Sequence, residues 1–149
     1  MDKMIQTLYR DINISKWEDF QERPVRRMIA EISDELGLPV HFYGHPSELN
    51  NMGGTWRVFL NENQCDEKLW QDFGKVVGIY VCHQLFLEGK AVHQLCDFPY
   101  YFCVPSFLLR QLPLVEKTED KQWITGEITR IFHVESSFAE TRIQLFCAS

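Results

Sequence analysis

The side chains able to do chemistry in this 149-residue chain gather in one stretch, Trp70 to Pro105. It carries Lys75, Cys82, His83, His93, Cys96, Asp97 and Cys103. A metal site would need several of the thiol and imidazole groups at a ligand spacing, and Cys82, His83, His93 and Cys96 follow none. Cys82 and His83 are chain neighbours and would point differently on a helix. Packed or hydrogen-bonded side chains are the favoured reading of all four. A nucleophilic cysteine needs a positive neighbour or a helix N-terminus to hold the thiolate. Cys103, in the run FCVP behind Tyr100 and Tyr101, has no such partner in the sequence and reads as core. Lys75 has two readings. It pairs with a carboxylate such as Asp97 between two helices, or it stays exposed with its stem along the surface.

These residues need elements to position them. Counting from Leu69, apolar residues recur at Phe73, Val76, Val77, Tyr80 and Val81, the stripe of a core-facing helix. Asp66 is placed to cap it, with Glu67 in the first turn, and a second helix packs back after a loop. Upstream, residues 1–20 read as one helix followed by a short connection. Val25, Met28, Ile29, Ile32 and Leu36 form a clean helical stripe, with Pro24 in its first turn and Gly37 as C-cap. Leu38 to Tyr43 and Thr55 to Leu60 read as strands, and GHPSELNNMGG between them as a loop exposing Met52. Downstream, Ser106 to Leu112 is a helix end or a separate turn. Trp123, Ile124, Ile128, Ile131 and Phe132 form another stripe. A turn at His133–Ser137 leads to a last helix with Phe138, Ile143 and Phe146. The expectation is a single α+β domain over 1–149, mostly helical with a small β-sheet.

The order of these elements, with WQDFG at 70–74, His83 and FCVP at 102–105, resembles the ImmA/IrrE metallopeptidase-like family. The likeness is to the ImmA-type proteins of phages and integrative elements, and it covers nearly the whole chain. It implies a zincin-like fold. In that family the WxDFG-like residues lead into an HExxH helix, whose two His bind zinc and whose Glu polarises the attacking water. Here Lys75 stands where the first His would be, Val76 where the Glu would be, and Ile79 where the second His would be. An ammonium is a poor zinc ligand, and aliphatic side chains neither coordinate metal nor move protons. The family's third ligand, a Glu on the next helix, falls at Val92 or Gln94, depending on register. No HExxH occurs anywhere else in the chain.

Composition sets further bounds. A chain of this length builds about one domain. Hydrophobic content of 45%, with eleven Phe, five Tyr and four Trp, supports a substantial core. The net charge of −6 disfavours direct binding to nucleic acid or anionic membranes. No apolar run spans a bilayer, and the acidic, polar start is unlike a signal peptide, so a cytoplasmic protein is expected. The five cysteines are odd in number and lack a CxxC pair, which suits reduced, mostly buried thiols. Together with the resemblance, this predicts a catalytically inactive pseudopeptidase that uses no metal or other cofactor. It would bind a protein partner, a helix-turn-helix repressor or another regulator of a mobile element. Met52 and Gly53 in the loop, with Tyr100 and Tyr101, are the candidate contacts. The alternative is an enzyme with altered chemistry built on His83, His93, Asp97 or Cys103, or a relict metal site.

Overall fold

Trp70 lies at the centre of the molecule, wholly buried, with its ring centroid 5.8 Å from that of Phe20 and 5.4 Å from that of Phe102. The computed structural model describes residues 1–87, 96–113 and 120–148. Its elements run α1 (Asp2–Asp11), α2 (Trp17–Glu22), α3 (Val25–Leu36), β1 (Val40–Tyr43), β2 (Glu48–Met52) and β3 (Thr55–Asn61). They continue with α4 (Asp66–Leu87), α5 (Phe98–Cys103), α6 (Ser106–Leu109), α7 (Lys121–Phe132) and α8 (Ser136–Ala148). The chain is thus α+β and mostly helical, with one three-stranded sheet among the described residues. No described helix is long and apolar enough to cross a membrane.

The predicted stripes explain most of this. In α3, Val25, Met28, Ile29 and Ile32 are buried, and Gly37 ends the helix in the left-handed region at φ 65°. Leu38 N–H then donates to the Ser33 carbonyl at 2.9 Å, closing a Schellman-type cap. In α4, Phe73, Val76, Val77 and Val81 are buried as the spacing requires, and Tyr80 is half-buried.

Four expectations need correction. Residues 1–20 form two helices, because Asn13 adopts φ 64° and turns the chain so that Ile14 is wholly buried between them. The segment expected as a loop contains β2, an edge strand paired antiparallel to β3 with Asn51 opposite Trp56. Its residues ELNNM carry no alternating apolar pattern, and what defines the strand is its pairing with β3. Gly53 and Gly54, at φ 62° and 86°, make the two-residue turn, and Asn51 Oδ1 accepts from Gly54 N–H at 3.1 Å. Trp123 is 47% exposed, since it lies on the solvent side of the stripe that Ile124 and Ile128 bury. Of the five cysteines, all free, only Cys103 is buried; Cys65, Cys96 and Cys147 are exposed and Cys82 half-buried. They lie at helix ends and flanks rather than on the core stripes.

β3 is the central strand, parallel to β1 and antiparallel to β2. Val58 and Leu60 are buried, and Trp56, two residues before Val58, belongs to the same face of β3. Its ring stands 6.3 Å from Tyr80 and 5.0 Å from His83, so the sheet's inner face covers the later turns of α4. On the other flank α4 meets α5 at very short range. A Cβ on Gly74 would lie 2.7 Å from Cys103 Sγ, and one on Gly78 would lie 3.0 Å from Phe98 Cδ1. We expect Gly74→Ala to destabilise the protein by about 1–3 kcal/mol from overpacking, net of a helix-propensity gain of up to about 1 kcal/mol. Cys103→Ala in the same chain should recover most of the loss, because it removes the clashing sulfur. Urea unfolding of the two single variants and the double variant checks this as a cycle, and additive losses would refute the clash.

Candidate functional site

The WQDFG run fastens the start of α4 to three neighbours. Trp70 Nε1–H donates to the Cys103 carbonyl at 3.3 Å, and Cys103 Sγ lies 3.5 Å from the Trp70 carbonyl. Gln71 grips the residue before α8 from both sides: its Oε1 accepts from Glu135 N–H at 2.7 Å, and its Nε2 donates to Glu135 Oε1 at 2.9 Å. Asp72 Oδ2 accepts from Ser47 Oγ at 2.8 Å and from Gln64 Nε2 at 2.9 Å. Ser47 Oγ in turn accepts from Asn61 N–H at 3.0 Å, which ties the sheet's loop to the same turn of α4. Phe73 enters the core, and Gly74 admits α5. A single turn of helix therefore sets the positions of the sheet, α5 and α8 around it.

Beyond this frame α4 presents two different faces. Val76 is 4% exposed and packs inward. Lys75 and Ile79, four residues apart, share the adjoining side and both face out; Ile79 is 49% exposed. Lys75 therefore takes the exposed reading: none of the ion pairs between described residues joins it to Asp97 or to any other carboxylate. With Gln71 it lines one wall of a cleft of about 410 Å³ between α4, α5 and α8. Cys96, Pro99 and Tyr100 line the α5 side, and Ser137, Phe138 and Thr141 line the α8 side. The Tyr100 and Phe138 rings meet across the cleft, 4.5 Å apart. Thr141 Oγ1 donates to the Ser137 carbonyl at 3.1 Å.

The other sequence-derived candidates are dispersed. Met52 is 61% exposed, beside Gly53 at the hairpin tip. Tyr101 lies half-buried under the Arg142 guanidinium, 4.3 Å from its carbon. His83 is exposed and leans on Trp56, away from the cleft. Cys103 is buried, and burial pushes its thiol well up, opposed by the nearby Lys75 charge and by a hydrogen bond from the Gly74 backbone. It is a core thiol rather than an activated one. Val92, His93 and Gln94 lie outside the described residues. Among the described residues no three His, Cys, Asp or Glu side chains stand close enough to share a metal ion. A second hollow, about 550 Å³, lies between α7 and α8 against Lys121, Thr125 and Ile143, and holds none of these candidates.

Sequence reasoning missed Gln71 and Asp72 as fasteners and the α8 residues Ser137, Phe138 and Thr141 as cleft lining. The first two lie inside the motif that suggested the family. The last three come from more than sixty residues downstream and carry no local signal.

The chain is 27% identical over 160 residues to the "Phage-like element PBSX protein XkdA" of Bacillus subtilis (strain 168), an alignment covering 98% of this chain and 72% of the relative. No protein-family model and no solved structure matches it. At that distance, and over nearly its whole length, the chain is similar to a protein of a phage-like element.

Proposed function

We propose that the protein is a degenerate, zincin-like member of the ImmA/IrrE family that binds a regulator of a phage or mobile-element circuit without cutting it. The observation that carries this reading is the side-chain set of α4 beyond an intact WQDFG frame. Val76, at the family's general-base position, is turned into the core, and the two positions facing out carry Lys75 and Ile79. None of the three coordinates zinc or activates water. The distant relative from a phage-like element supports the biological setting. In this reading the cleft beside Lys75 and the hairpin tip at Met52 and Gly53 are contact surfaces for a protein, and the protein acts in the cytoplasm.

The test combines metal analysis with partner binding. Protein purified without chelator or tag metal is expected to hold less than about a tenth of an equivalent of zinc, with no change of melting temperature in EDTA. Mixed with purified helix-turn-helix regulators encoded by its own mobile element, it should form a complex with one of them and leave it uncleaved. Stoichiometric zinc together with cleavage of that regulator would overturn the proposal.

A further inference from the structure

We infer that the cleft between α4, α5 and α8 takes an acidic side chain of a partner polypeptide, with Lys75 as its counter-charge. This rests on the protein-binding reading above and names the chemistry that the cleft selects. The chain carries 21 acidic and 15 basic residues, yet among the described residues no Asp or Glu lines this cleft. Lys75 is exposed on its wall, and among the described residues no carboxylate lies within ion-pairing distance of it. Glu135, just before α8, has its Oε1 already engaged by Gln71. Ser137 adds a hydroxyl on the opposite wall, in the first turn of α8, where the helix dipole also favours negative charge. Pro99, Tyr100 and Phe138, which also line the cleft, offer apolar surface to the methylenes of a glutamate or to an apolar neighbour. Local charge complementarity at Lys75 thus opposes the negative sign of the whole molecule and favours an anionic segment there.

The probe is a blocked tripeptide, acetyl-Leu-Glu-Leu-amide, titrated into the isotopically labelled full chain beside its Gln counterpart. The Glu peptide is expected to move the amide resonances of Gln71, Lys75, Ser137 and Phe138 saturably. The Gln peptide should bind about fivefold more weakly, the size of a partly exposed ion pair. Lys75→Gln should abolish the preference and Lys75→Arg should keep it; both change one exposed residue, and circular dichroism verifies their folds. Equal binding of the two peptides, a preference that survives Lys75→Gln, or no saturable shift up to about 10 mM peptide would overturn the assignment. Glutarate binding as well as the Glu peptide would also overturn it, since the cleft would then select a free acid rather than a polypeptide. A regulator complex that forms equally with Lys75→Gln would leave the protein-binding reading standing while this inference fails.

Discussion

Replacing Arg142 by alanine is expected to destabilise the protein by about 3 kcal/mol or more, and replacing it by methionine by much less. Arg142 is wholly buried on α8, and among the described residues no carboxylate forms an ion pair with it. Its Nε–H donates to the Val104 carbonyl at 2.9 Å and its Nη2–H to Ser106 Oγ at 2.7 Å. Nη1 has no acceptor among the described residues. Ser106 Oγ passes the interaction on, donating to Asp2 Oδ1 at 3.1 Å. Burial pulls the guanidinium down to about 10, with Tyr101 and Asp2 opposing that shift. The charge is therefore a burden on the fold, whereas the side-chain volume and the flat stacking against Tyr101 are gains. Alanine discards volume, stacking and both hydrogen bonds. Methionine keeps the volume and discards the charge along with the bonds. Urea unfolding of both variants checks the order. A methionine variant as unstable as the alanine one would mean that the hydrogen bonds, and not the packing, carry this site.

The second large effect is alkaline destabilisation. Tyr9 and Cys103 are both fully buried, and burial pushes both well above their ordinary values of 10.0 and 9.0. Tyr9 O–H donates to the Phe102 carbonyl at 2.6 Å, so its neutral form is also the bonded one. In the unfolded chain each group ionises near its ordinary value, while in the fold it stays protonated at higher pH. The unfolded state then binds fewer protons, and stability falls as pH rises. The contribution is complete below about pH 9 and declines above it by about 1.4 kcal/mol per pH unit for each group once past its ordinary value. Unfolding midpoints measured from about pH 8 to about pH 10.5 should show this slope, with Cys103→Ala removing its earlier part and Tyr9→Phe its later part. A wild-type profile as flat as that of the double variant would contradict it.

How much of this was legible depends on how local each cause is. The α3 stripe and its Gly37 stop need only neighbours in sequence, and the structure has them where the spacing puts them. The face of α4 that buries Val76 follows from periodicity, whereas the two readings of Lys75 are separated only by its exposure in the fold. β2 was hidden because ELNNM is held by β3 rather than by any pattern of its own, although the Gly53-Gly54 pair was a hairpin signal in plain view. The break at Asn13 depends on one non-glycine residue accepting a left-handed conformation, which composition does not announce. The cleft was the least legible part. Its walls meet only because Gln71 holds Glu135 and because Gly74 and Gly78 leave room for α5.

The chain from Asp2 through Ser106 to Arg142 also bears on the order in which the molecule is made. Asp2 and Ser106 are 104 positions apart, and Tyr9 and Phe102 are 93 apart. Contacts of such separation close late, after much of the chain entropy has been surrendered. During synthesis from the N-terminus, α1 emerges long before the FCVPS segment that holds its Tyr9 and Asp2 partners. That segment in turn has its Val104 carbonyl satisfied only when Arg142 leaves the ribosome. A nascent chain stopped before α8 would carry an assembled aromatic cluster with an uncovered polar seam, a state suited to chaperone capture rather than to early, independent folding.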